Sequence, residues 1–326
     1  CKKKKKMPPK TVDVIEEWIT MPDGVEIYTK KWMSVIKPPI ATVVFLHGFG
    51  EHVNRYNHVF DKFALKGVEV FGFDQRGFGK TAVRNKNPGQ TGGWKVVIED
   101  VTAFIIANRR QKVPQFLFGH SMGGGLTAYY ASNGSERDNL AGVILSSPLI
   151  ALASNTRVAK SGLTVANAFA KVVPNFTIPV ITLDKKYISR NPKEIERYEK
   201  DELVHRMGSL RGLVDISNGT RSLLKERYKD ITLPIYICFG TGDGINDCNT
   251  AKEFFNKLPS KEKTWREWPG LYHEMHYEDE REQVINDYLG WILKRASSHS
   301  NIRNNIQIST SGNRTVSSSP IALASA

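Results

Sequence analysis

Ser121 stands in FLFGHSMGGG (116–125), with Gly119 two residues before it and Gly123 two residues after. A serine hydroxyl is a poor nucleophile near neutral pH and needs a base within hydrogen-bond reach. That base needs a carboxylate to fix its tautomer and to stabilise the imidazolium it becomes. The G-x-S-x-G spacing supplies a sharp elbow that lifts the hydroxyl above the strand ends and hands the chain to a helix. The pattern is short, and a serine ahead of a helix is also an ordinary N-cap. The partners must therefore appear later in the chain, carboxylate before histidine, each just past a strand. Asp243 follows IYICFG (235–240) and His273 follows TWREWPG (264–270), in that order. Asp247 is a rival acid or a cap for the next helix, and His276, three residues past His273, is a rival base. The two histidines form no H-E-x-x-H and no cysteine cluster accompanies them, so neither a metal nor a cofactor is expected.

Acyl chemistry also needs donors for a developing oxyanion. One is the backbone N–H after the nucleophile, Met122, at the start of a helix whose dipole favours negative charge. The second should lie in the loop after an early strand. His47-Gly48-Phe49-Gly50 follows ATVVFL (41–46) directly, which makes the Phe49 N–H the candidate.

Such a site needs a scaffold that brings strand ends to one edge. VEIYTKKW after Pro22-Asp23-Gly24 reads as a hairpin, and short buried runs recur at 41–46, 68–73, 115–118 and 142–147. Helical stretches at 53–66, 94–110 and 123–132 lie between them. Strands alternating with helices predict a mainly parallel sheet with helices on both faces, its ligand edge at the strands' C-terminal ends. The alternation stops after Pro148, so residues 148–229 are expected to form a helical cap over that edge, with the core made of 11–147 and 230–296. The Ser- and Asn-rich stretch 297–326 reads as a disordered tail, and 1–10 as a basic one.

Of the net charge of +13 over 326 residues, six lysines fall within 1–10, without interleaved aromatics or a nucleic-acid motif. No nucleic-acid partner is expected. No apolar run reaches the ~18 residues of a membrane span. CKKKKKMPPK has no apolar region behind its charges, and three cysteines make no disulfide framework, so a cytoplasmic setting is expected.

HGFGEHVNRY (47–56), FDQRGFG (73–79), GHSMGGG (119–125), LSSPLI (145–150), SRNPKEIERYEKDELVH (189–205), GTGDGIND (240–247) and PGLYHEMH (269–276) together resemble the monoacylglycerol lipases of the α/β-hydrolase superfamily, within the lysophospholipase-like group. The likeness runs from about residue 15 to 295. It implies an α/β-hydrolase fold and cleavage of monoacylglycerol to fatty acid and glycerol by an acyl-enzyme route. Lysophospholipid or another lipophilic ester is the alternative substrate, acyl transfer to an alcohol is an alternative reaction, and non-catalytic lipid binding is an alternative role. It also implies a glycerol subsite of Glu51, Arg55, Tyr198 and His276, although Glu51 and Arg55 read equally well as an internal ion pair. Leu163, Val165, Phe169 and Val172 would face lipid or acyl chain, in peripheral contact with a membrane or lipid droplet, or else form the core face of a helix. Phe49 stands where the family has a small residue, which keeps a backbone donor and crowds the pocket.

Overall fold

The runs that are apolar over most of their length become the central strands. The computed structural model describes residues 11–153, 168–180 and 184–311, with side chains through 298. Its strands are β1 Val14–Thr20, β2 Glu26–Trp32, β3 Ala41–Leu46, β4 Val68–Phe73, β5 Gln115–His120, β6 Gly142–Ser146, β7 Thr177–Pro179, β8 Met207–Ser209, β9 Ile235–Gly240 and β10 Lys263–Trp268. The labelled helices are α1 Asn57–Leu65, α2 Gly79–Asn85, α3 Trp94–Ala107, α4 Met122–Asn133, α5 Pro192–Lys200, α6 Leu210–Lys225, α7 Cys248–Lys257 and α8 Arg281–Ser311.

Eight strands form one sheet in the order β1-β2-β4-β3-β5-β6-β9-β10. β1 and β2 pair antiparallel, β2 joins β4 antiparallel, and every later pairing is parallel. β3, β4, β5, β6 and β9 are buried at every position, as parallel strands covered on both faces must be. Period-two alternation divides the core. Val44 and Leu46 pack with α3 and α4 on one face, whereas Val43 and Phe45 pack with α1 and α8 on the other. Parallel pairing puts the loops after β3, β5, β6, β9 and β10 on one edge, where the candidate residues lie.

Between Pro148 and Lys229, sequence alone suggests helix and loop. The structure adds a short antiparallel ribbon, β7 with β8. Asn191 caps α5 by accepting from the Lys193 N–H at 3.1 Å, with Pro192 opening the helix. α6 packs on the core, with Leu223 fully buried and Gly219 so close to Trp94 that a Cβ there would sit 1.9 Å from the indole. Phe169 and Val172 stand 58% and 80% exposed, while Leu163 and Val165 lie outside the described residues, as does 1–10. α8 runs on to Ser311, into the stretch expected as a tail from 297. An existing helix extends without a new nucleus, and neither glycine nor proline interrupts residues 291–311. Among the described residues no helix is long and apolar enough to cross a membrane.

Candidate active site

Ser121 sits between β5 and α4 at φ +54°, ψ −118°, a conformation that an L-residue holds only at a cost of about 1–3 kcal/mol. Its neighbours show why they must be small. A Cβ on Gly119 would lie 2.1 Å from the Gly123 carbonyl oxygen, and one on Gly123 would lie 2.2 Å from that of Leu46. The elbow is fixed by its backbone: Ser121 N–H donates to Ser146 O at 3.0 Å, and Ser121 O accepts from Gly125 and Leu149.

The three side chains proposed from the sequence meet above the sheet. His273 Nε2 lies 2.8 Å from Ser121 Oγ, and His273 Nδ1 lies 2.8 Å from Asp243 Oδ2. The other carboxylate oxygen, Oδ1, accepts from the N–H groups of Ile245 and Asn246 at 2.8 and 3.0 Å. Asp247 caps α7 by accepting from Thr250 N–H at 2.9 Å, which leaves Asp243 facing the imidazole. His276 is buried with its ring against Tyr56 and His120, and it is His273 that faces Ser121 Oγ.

Burial alone would lower the His273 pKa. The Asp243 carboxylate, through its charge and its hydrogen bond, outweighs burial, and Glu274 and Glu51 add to it, so the net shift is upward from 6.5. His120 and His276 move the other way: burial and neighbouring positive groups hold both well below their ordinary value and keep them neutral. A base must be unprotonated to accept the serine proton. The acid limb of kcat/KM should therefore lie above pH 6.5, with activity lost as pH falls through it. A pH–rate profile on a neutral ester checks this; a limb below 6.5 would contradict it.

The loop after β3 is fixed from several sides. His47 Nδ1–H donates to Gly48 O at 2.8 Å, while His47 Nε2 accepts from Gln75 N–H at 2.9 Å, so the neutral Nδ1–H ring fits both partners. Burial agrees, lowering the His47 pKa to about 4. Gly48 N–H donates to Glu51 Oε1 at 2.5 Å. A trans peptide directs its N–H opposite to its carbonyl. With Gly48 O held by His47, the Phe49 N–H faces away from that ring, and Phe49 shares the cavity of Ser121. Met122 opens α4, so its N–H is a first-turn donor.

The four head-group residues separate. Glu51 and Tyr198 line the Ser121 cavity together with Phe49, Ile188, Ile245 and Glu274. Arg55 does not line it: the guanidinium meets Glu51 at 2.9 Å and both Glu274 oxygens at 2.7 Å, and lies over the Tyr198 ring. His276 does not line it either. Arg55 is held between two buried carboxylates, and the His276 ring packs against Tyr56 and His120. The cavity holds about 40 Å³, room for about one water molecule. Phe49 is among the residues that line it. A larger groove of about 610 Å³ lies beyond Tyr198, lined by charged groups such as Lys62, Glu194 and Asp201, away from the nucleophile.

Several supporting residues are not legible from motifs. Ser147, at φ +41°, donates from Oγ to His273 O at 2.9 Å, and its own carbonyl accepts from Asn246 Nδ2 at 2.8 Å. Tyr187 O and Ile188 O accept from His273 N–H and Glu274 N–H at 3.0 and 2.8 Å, tying the histidine loop to the segment ahead of α5. Glu274 carried a signal, an acid directly after the base, but its pairing with Arg55 is a long-range contact. Among the described residues no cluster of His, Cys, Asp or Glu could hold a metal ion.

Residues 37–280 match the family model Hydrolase_4, described as serine aminopeptidase, S33. A protein of Schizosaccharomyces pombe named "Putative monoglyceride lipase" is 36% identical over 278 residues, covering 83% of this chain and 72% of the relative. The monoglyceride lipase of Saccharomyces cerevisiae is 31% identical over 271 residues, covering 78% and 85%. Among solved structures, a soluble variant of monoglyceride lipase from Saccharomyces cerevisiae in complex with a substrate analog superposes with a TM-score of 0.76 at 29% identity, covering 89% of this chain and 99% of that one. Monoacylglycerol lipase of Paleococcus ferrophilus gives 0.73 at 28%, covering 83% and 99%.

Proposed function

The chain belongs to the Hydrolase_4 family, described as serine aminopeptidase, S33, and from that membership and its site we propose that it is a serine hydrolase cleaving monoacylglycerol to fatty acid and glycerol. The observation that carries the chemistry is the imidazole of His273 held 2.8 Å from both Ser121 Oγ and Asp243 Oδ2. Ser121 Oγ attacks the ester carbonyl carbon as His273 Nε2 takes its proton. The tetrahedral oxyanion is met by the N–H groups of Phe49 and Met122. Its collapse breaks the carbon–oxygen bond to glycerol, which leaves with the proton from His273. Water, deprotonated by the same nitrogen, then attacks the acyl-serine and releases the acid.

The cavity lining supports the choice of head group. Glu51 and Glu274 line it, and no lysine or arginine does among the described residues. Carboxylate oxygens accept hydrogen bonds from glycerol hydroxyls, and among the described residues the lining offers a phosphate no cationic side chain. Glu51 and Tyr198 form the head-group wall in this reading. Residues 148–229 act as the cap, and exposed Phe169, Val172 and Phe176 present apolar surface to the lipid aggregate that delivers substrate.

Competitive turnover of 1- and 2-monoacylglycerol, lysophosphatidylcholine and a short-chain ester tests the assignment. Monoacylglycerol should have the highest kcat/KM; faster turnover of the lysophospholipid would reject the head-group reading while leaving the triad intact.

A further inference from the structure

His205 is outside the triad and outside the cavity lining, yet it touches the loop that carries Phe49. Its backbone N–H donates to Gly50 O at 3.0 Å. Gly50, at φ +76°, permits this approach, since a Cβ there would lie 2.2 Å from the His205 carbonyl oxygen. The side chain is anchored at both nitrogens. Nε2 lies 3.0 Å from Gly77 O, in the loop after β4, and Nδ1 accepts from Met207 N–H at 3.2 Å. A neutral ring protonated at Nε2 satisfies both. The ring stacks on Phe78 at 5.5 Å and 21°, and Phe78 meets the Phe49 ring edge-on at 5.2 Å. Met207 opens β8, which pairs with β7 just beyond exposed Phe176.

The loop is thus held at two carbonyls on either side of Phe49: Gly48 O by the His47 ring and Gly50 O by His205. The first clamp is internal to the loop. The second comes from residues 148–229, and its position is set by the His205 ring, which ties that backbone to Gly77 and to β8. We propose that His205 is a positioning residue for the hydrolytic reaction, locking the β7–β8 ribbon onto the loop and so holding the Phe49 N–H where the oxyanion forms.

The proposal rests on the hydrolase reading, and its test separates the two. His205→Phe keeps a ring to stack on Phe78 and removes both side-chain hydrogen bonds. His205→Gln keeps a donor and an acceptor. Steady-state turnover of monoacylglycerol is measured beside inhibition by an alkyl trifluoromethyl ketone, whose adduct with Ser121 places an oxyanion in the hole. For His205→Phe, kcat should fall about 10-fold, KM stay within about twofold, and the inhibitor bind about 10-fold more weakly, part of what losing a donor outright would cost. His205→Gln should recover most of both. If the phenylalanine variant does not fold, His205→Asn, too short to reach Gly77 O, is read the same way. Wild-type kcat in the variants, a loss confined to KM, or a glutamine variant as impaired as phenylalanine would overturn the proposal. A wild-type protein that neither turns over ester nor reacts with a fluorophosphonate would instead overturn the hydrolase reading, and this one with it.

Discussion

Replacing Ser121 by alanine is expected to lower kcat on monoacylglycerol by a factor on the order of 10⁶ and to abolish labelling by a fluorophosphonate. The magnitude follows from the geometry. Ser121 Oγ is the atom that His273 Nε2 faces at 2.8 Å, and without it His273 can only activate water, while the N–H donors of Phe49 and Met122 remain. That residual site should still exceed the uncatalysed rate by about 10³–10⁴. Alanine keeps a Cβ and therefore keeps φ near +54°, so the elbow and its hydrogen bonds to Ser146, Gly125 and Leu149 have no reason to change. Stability should stay within about 0.5 kcal/mol in urea unfolding, which makes the loss chemical rather than structural. Retained labelling in Ser121→Ala would place the nucleophile elsewhere and undo the catalytic assignment.

What the sequence disclosed, and what it hid, follows from the range of the contacts involved. Ser121, Asp243 and His273 were legible because each follows a strand-like run, and a parallel sheet brings strand ends to one edge. Gly119 and Gly123 were legible because an elbow leaves no room for a Cβ, as their 2.1 and 2.2 Å clearances show. The surroundings of Arg55 and His276 were not legible for one reason. A motif places a residue near the site without saying which way its side chain turns, and 219 residues separate Arg55 from the Glu274 that captures it. His205 had no local signature, since its partners Gly50, Gly77 and Met207 come from three separate segments. The β7–β8 ribbon is three residues on each side, too short for a period of two to stand out. The extension of α8 was hidden by composition. Serine and asparagine suggest disorder when averaged over a window, but continuing a helix that already exists costs far less than starting one.

Asp243→Asn should be the second most damaging change, lowering kcat about 10⁴-fold although it alters almost no volume. The two backbone donors decide the outcome. Ile245 N–H and Asn246 N–H point at Oδ1 from 2.8 and 3.0 Å, so an asparagine must turn its carbonyl oxygen to them and its NH₂ toward His273. The opposite flip would set an amide NH₂ against two N–H groups. An NH₂ facing Nδ1 makes that nitrogen the acceptor and moves the ring proton to Nε2, which then presents N–H to Ser121 Oγ and cannot accept its proton. The charge disappears as well. Burial already works to lower the His273 pKa, and Asp243 is the main group opposing it. The residual activity of Asp243→Asn should therefore show its acid limb at lower pH than the wild type, even as the rate collapses. Measuring kcat/KM against pH for both proteins reads the tautomer and the charge separately. A large loss with an unmoved limb would mean that the aspartate orients the ring without setting its basicity, and a limb moved upward would contradict the electrostatic account.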